Sequence, residues 1–288
     1  MGTAYLDPAE ERKLLELLAL RSVGIAPRKL LELFAPREEH PLELPLGLPT
    51  GLDCYSDEIE RALPQAEEEL ALCRQAEISI LPFFSPSYPK ALETLGRSRP
   101  VLLYALGRLE LLDSAERITI VGTRSPSPEG ERAAYKLAYQ RATKGETIIS
   151  GLALGCDAAA HRGALEAGGR TIAVLATGLD KVHPEAHRAL QAELVDQGGL
   201  LLSEYPLGSP VSKQRLIARD RLQAALGATL LVIECGAKSG TMHTVRFAER
   251  CHRPIYALPP QSDHLPSQEG NRLLLRSGRA TPWEERRI

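Results

Sequence analysis

From residue 117 onward the chain alternates short apolar runs with longer amphipathic ones, and that alternation restricts its fold more than any other feature. The apolar runs fall at 117–121, 147–150, 171–175, 200–203, 229–233 and 254–258. Between them, 129–144, 157–167, 184–197, 219–226 and 241–251 carry helix-forming patterns. Strands of four to six residues that are apolar on both faces belong inside a parallel sheet covered by helices on each side. The crossovers are expected to be right-handed. The predicted class is α/β, an extended Rossmann-like, doubly wound and mostly parallel sheet. In such a sheet ligands sit beyond the carboxyl ends of the strands.

Upstream the pattern changes. Asp7-Pro8-Ala9-Glu10-Glu11 offers a cap, a first-turn proline and acids at the positive end of a helix. Leucines at 14, 15, 17, 18 and 20 give that helix an apolar face, a break follows at 22–27, and a second helix begins at Arg28. Residues 35–53 read as an irregular Pro/Leu/Gly connection, 58–76 as a third helix, and 78–82 and 100–107 as strands. The expected division is therefore a small all-α domain over 1–75, of the SAM or helix-hairpin kind, and the Rossmann-like domain over 76–288.

Charge separates the same two parts. Residues 1–75 carry 8 Lys+Arg against 15 Asp+Glu, whereas 76–288 carry 27 against 22. From 205 onward the balance is 13 against 7. An acidic helical part argues for packing or partner contacts rather than a DNA grip, and the basic remainder favours an anionic ligand. No apolar run reaches the length of a membrane span. Residues 1–7 lack both the basic and the apolar stretch of a secretory signal. Five scattered cysteines without a C-x-x-C pair fit a reduced, cytoplasmic setting and no metal site.

Five loops follow the strands on one sheet edge. Gly122-Thr123-Arg124 combines a tight turn, small residues, a helix N-terminus and a guanidinium suited to phosphate. The second and third glycines of the dinucleotide fingerprint are absent. Ser150-Gly151 through Gly155-Cys156-Asp157 forms a second glycine cradle. Asp157 and His161, four apart, read best as a helix cap and a satisfied core histidine. Gly178 lies in a third turn. Lys213, Arg215, Arg219 and Arg221 follow the fourth strand and Tyr205, either as a solvated basic loop or as a surface that tracks a backbone. Lys238-Ser239-Gly240-Thr241 places a cation, a hydroxyl and amides before the last helix, without the Walker spacing of an ATPase. Glycine backbones and cations dominate, and no acid, base and nucleophile converge. The expected protein is a polyanion binder, not an enzyme, with no catalytic residues, cofactor or metal.

Taken in order, Ile120-Val121-Gly122-Thr123-Arg124, Ser150 to Asp157 with His161, 171–175, Ser203-Glu204-Tyr205-Pro206 and Lys238 to Thr241 resemble the DprA/Smf DNA-processing family. Leu81-Pro82, Tyr88-Pro89 and 100–104 are similar to that family's lead-in. The resemblance covers roughly residues 10–280. It implies a homodimer that binds and protects single-stranded DNA in a positively charged pocket and loads the recombinase RecA in natural transformation. By this resemblance Arg124 and Lys238 grip phosphates, glycines 122, 151, 155, 178 and 240 admit them to backbone amides, and Arg219 and Arg221 add charge.

Three stretches depart from the family pattern, one being Pro259-Pro260 where Pro-Gly is expected after the sixth strand. Leu216 stands where the family usually has a stacking Phe, and Asp220 where it usually has Asn. Base stacking contributes ~1–3 kcal/mol per base, so the hold on bases is expected to weaken unless Tyr205 substitutes. The family's C-terminal winged helix has no counterpart in the sequence before Ile288. Two other readings stand beside this one. The first is a nucleotide- or nucleoside-monophosphate-binding enzyme or sensor of the phosphoribohydrolase kind, for which Glu249 is too remote from the glycine loop to serve as the acid. The second is a purely structural scaffold.

Overall fold

A computed structural model describes residues 7–35, 52–262 and 264–284. Most of the expected connection at 35–53, and the first and last few residues, lie outside the described residues. The chain forms two compact units. One runs to Tyr88 and includes Gly96–Tyr104; the other comprises Pro89–Leu95 and Ala105 onward.

The first unit holds α1 (Pro8–Ser22), α2 (Pro27–Leu33), α3 (Ser56–Gln75), β1 (Ser79–Pro82) and the start of β2 (Leu102–Gly107). The expected cap is present: the Asp7 carboxylate accepts from the amides of Ala9 and Glu10, and Glu10 answers to the amide of Asp7. Leu14, Leu17, Leu18 and Leu20 are fully buried. Among them runs a polar chain in which Arg21 donates to Tyr104 and pairs with Glu69, while the Tyr104 hydroxyl also donates to Glu69. Burial raises the Tyr104 phenol well above its usual range, so it stays a donor.

The second unit contains the end of β2, then β3 (Arg117–Val121), α4 (Pro128–Thr143), β4 (Thr147–Ser150), α5 (Cys156–Glu166), β5 (Arg170–Leu175), α6 (Arg188–Asp196), β6 (Leu200–Ser203), α7 (Lys213–Leu226), β7 (Thr229–Val232), α8 (Thr241–Arg250), β8 (Ile255–Ala257), α9 (Glu269–Arg276) and β9 (Thr281–Pro282). Its strand order is β2-β6-β5-β4-β3-β7-β8-β9. The pairings from β6 across to β9 are all parallel. Alternate side chains of β3 separate the two faces. Ile118 and Ile120 join Leu137, Ala138 and Ala160 of α4 and α5, whereas Val121 joins Val245 of α8 and Leu274 of α9. Helices therefore cover both faces, as the alternation required.

After β3 the chain winds outward through β4, β5 and β6, then returns to lay β7 on the other side of β3. The loops after β3 and β7 leave in opposite directions, so the sheet opens at its carboxyl edge there. Three local expectations are corrected. Helix α7 starts at Lys213 rather than 219, because Ser212 accepts from the Arg215 amide and caps it. The basic stretch is thus a helix and not a loop. Helix α6 starts at Arg188, after a short 3-10 turn at Glu185–His187. Helix α9 and strand β9 extend the sheet beyond the last strand read from the sequence.

Candidate functional site

A cleft of roughly 800 Å³ lies at the strand-order reversal, walled by the loops after β3 and β7 and by one face of α7. Arg124 and Lys238 stand exposed on opposite lips. Lys213, Leu216, Ile217 and Asp220, spaced three and four apart, present one helical face to it. Gly122, Thr123, Ser239, Gly240 and Thr241 complete the walls together with His183 and His243. A smaller pocket of about 150 Å³ adjoins it, lined by Gly151, Leu175, Pro184 and again Arg124, Leu216 and Arg219.

The walls are locked by the chain's own hydrogen bonds. Thr123 N donates to Glu234 O at 2.7 Å, and Thr241 Oγ1 donates to Gly122 O at 3.0 Å, tying the two loops together. Glu234 is 1% exposed, and its carboxylate accepts from Ser127 Oγ at 2.7 Å and from Ser127 N at 3.3 Å. This overturns one expectation. The positive end of α4 does not await a phosphate, because Glu234 already occupies it.

The glycines divide in the same way. A Cβ on Gly122 would meet Cys156 Sγ at 2.3 Å, on Gly155 would meet Thr123 O at 2.5 Å, and on Gly178 would meet Pro206 O at 2.5 Å. These glycines are required by packing. Gly240 alone of the five has open space before its Cα. Ser150 is buried with its hydroxyl on Ile120 O, and Gly178 N donates to Ser209 O. Ser150, Gly155, Gly178 and Arg221 line neither cavity.

Arg219 and Arg221, both on α7, differ. Arg221 Nη2 reaches both oxygens of Glu204, at 2.6 and 2.7 Å, away from the cleft. Arg219 is 5% exposed at the cleft floor, where Nη1 donates to Val174 O at 2.8 Å. Its Nε lies 3.3 Å from Asp220 Oδ1, a charge contact without an aligned hydrogen bond. Asp157, on the far side, accepts from Gly151 N at 3.1 Å and Ala153 N at 3.4 Å. Burial raises the pKa of Asp157, and Arg219 and these amides oppose the rise. Burial likewise pushes Asp220 up to about 7, with Arg219 opposing and Asp157 adding to it.

Tyr205 does not fill the place of the missing Phe. Its ring lies under the Arg215 guanidinium, 4.7 Å from its centroid, and it is not a cleft residue. Among the described residues, no Phe, Tyr or Trp lines the cleft. His161 is a core residue as expected. Nδ1 lies 2.7 Å from Thr171 Oγ1, and burial lowers its pKa to about 3. Glu249 is ion-paired with Arg279 at 2.6 Å and takes no part in the site. Asp157 is not the helix cap read from the sequence: it lies inside the first turn of α5, after Gly155, and anchors the preceding loop; Gln223 and the α7 face were passed over. The spacing of 213, 216, 217 and 220 signalled that face once α7 is begun at Ser212. Gln223, with its amide oriented to satisfy both neighbours, accepts from Gly151 N at 2.7 Å and Arg219 Nη1 at 3.2 Å.

The family model of DNA recombination-mediator protein A matches residues 79–287. The chain belongs to this family. It is therefore a DprA/Smf DNA-processing protein. Protein Smf of Escherichia coli is 36% identical over 231 residues, covering 80% of this chain and 61% of that protein. DNA processing protein DprA of Bacillus subtilis is 33% identical over 203 residues, covering 70% and 68%. The chain spans less than two thirds of the Smf proteins of Synechocystis and E. coli. Among solved structures, DprA of Streptococcus pneumoniae superposes with a TM-score of 0.71 at 26% identity, over 96% of this chain and 95% of that one. DprA of Helicobacter pylori, solved for its mode of single-stranded DNA binding, gives 0.64 at 33% identity over 72% and 90%. No described helix is long and apolar enough to cross a membrane.

Proposed function

We propose that the cleft holds the backbone of single-stranded DNA, and that the chain acts without catalysis as a recombination mediator. The observation that carries this reading is the placement of cations. Arg124, Lys213 and Lys238 stand exposed around a long open cleft, while its amides and helix ends are largely spent on internal bonds. Side-chain cations spread along a groove suit a chain of phosphates better than one buried phosphate. The H. pylori relative supports the choice of nucleic acid. In this reading Arg124 and Lys238 are the principal phosphate contacts, with Ser239, Gly240 and Thr241 beside them, and Arg219 shapes the floor. Protection of incoming single strands, delivery to RecA, a homodimer and a cytoplasmic setting complete the proposal.

Fluorescence anisotropy with labelled oligo-dT and with duplex of equal length tests it. Arg124→Ala and Lys238→Ala are each expected to weaken single-strand binding about tenfold at low salt and to flatten the salt dependence by about 0.7 per lost contact. Unchanged affinity in both variants removes the site assignment. The pocket beside Leu175 and Pro184, large enough for one small ring, favours a second reading in which a mononucleotide is bound. Release of free base from nucleoside monophosphates would support an enzyme of that kind.

A further inference from the structure

We infer that Asp220 sets the charge selectivity of this cleft by taking up one proton when the phosphate backbone binds. The inference deepens the single-stranded DNA reading and rests on it.

The argument begins with an imbalance. The cleft floor holds one guanidinium, Arg219, between two buried carboxylates, Asp157 and Asp220. The carboxylates are not equivalent. Asp157 has the amides of Gly151 and Ala153 to stabilise its charge. Among the described residues Asp220 accepts from no amide, and the ion pair it makes is the 3.3 Å contact to Arg219 Nε. Arg219 also serves Val174 O. A carboxylate that faces a like charge and is held by no amide gives up its charge before one whose charge two amides stabilise. Its pushed-up value of about 7 agrees with that placement.

The groups facing Asp220 come from several elements. Lys213 and Arg219 share its helix, Asp157 lies on α5, and Arg124 lies after β3. Lys238 lies after β7, His243 on α8 and His183 after β5. Both histidines are held below their usual pKa by burial and by neighbouring arginines. A phosphodiester seated on Arg124 and Lys238 would draw on these cations and add negative charge beside Asp220. The acid then holds its proton more firmly, and by reciprocity the protonated acid holds the anion more firmly.

The test is anisotropy with dT20 from pH 6.5 to 8.5 at fixed ionic strength. Thymine and phosphodiesters carry no group that titrates there. Wild type is expected to lose affinity about tenfold across the range. Asp220→Asn should vary by no more than about twofold and bind more tightly than wild type at pH 8.5. The double variant His183→Gln/His243→Gln should retain the wild-type slope. The inference is overturned by an Asp220→Asn slope equal to wild type, or by weaker binding of that variant at pH 8.5. If nothing binds at any pH, the single-stranded DNA reading fails. Carbon-13 titration of the Asp220 carboxyl in the full chain then decides the inference. Its midpoint should rise in sodium sulfate relative to sodium chloride at equal ionic strength, and an unmoved midpoint overturns the proposal.

Discussion

Arg219→Ala is expected to lower the unfolding free energy by about 3–5 kcal/mol at pH 8, the usual cost of stripping one partner from a buried ion pair. The side chain is 5% exposed and faces both Asp157 and Asp220. Its removal leaves two buried carboxylates near each other, and Val174 O loses its donor. The sign with pH follows from linkage. Arg219 lowers the pKa of each acid relative to what burial alone would give. Its contribution is therefore fully present where the acids are ionised and is lost as they take up protons. Urea denaturation at pH 8 and pH 5 should show a large deficit at the higher pH and a much smaller one at the lower. An equal deficit at both would mean that Arg219 stabilises by packing alone.

Gly151→Ala is expected to destabilise the fold too, through sterics. A Cβ at this position would lie 1.5 Å from Arg219 Nη1 and 2.4 Å from the Gln223 side-chain amide. Neither neighbour can move cheaply, since Arg219 is fixed on Val174 O and Gln223 lies at 2% exposure. Overpacking of this kind costs about 1–3 kcal/mol. It also pushes Arg219 into the cleft, so binding of oligo-dT should fall about tenfold or more, as a 1 Å misplacement of a charged group can. Gly240→Ala is the control: nothing lies within 4 Å of its Cβ, and thermal unfolding should hardly change. A normal melting curve for Gly151→Ala would show that the loop after β4 yields where the hydrogen bonds from Asp157 say it does not.

The sheet was legible because its signals are local and periodic. Apolar runs bounded by Gly and polar residues marked β3 to β8 within a residue or two of their bounds, and order along the chain fixed the helices between them. The site was legible only where residues stand free. Arg124 and Lys238 are exposed at the lips, and their chemistry could be read without knowing their neighbours. Glu234 could not be read that way, because its partner Ser127 is more than a hundred residues away in sequence and the contact exists only once β7 lies beside β3. The glycines misled for a related reason. A glycine that admits a ligand and one that admits Cys156 Sγ look the same in sequence. The start of α7 was hidden because Ser212 opens a run dense in charge, where a cap is easily taken for loop. Leu216 brings no aromatic ring to the cleft, and the condition left open for Tyr205 is not met, because Arg215 covers that ring.

The reversal of strand order at β3 also has a consequence for the order of assembly. Strands β3 to β6 are neighbours in both sequence and space, so this half of the sheet can pair while the rest of the chain is still being made. Strand β7 must then find β3 across more than a hundred residues, with Ile118 opposite Thr229. Closing a loop of that length is the slow step of a parallel sheet. The cleft needs walls from both halves, so it is the last feature to form. A nascent or truncated chain ending before β7 can carry Gly122-Thr123-Arg124 on a partly built sheet, yet it has no groove in which to hold a strand. On the proposed function, competence to bind is thus delayed until the C-terminal half has docked.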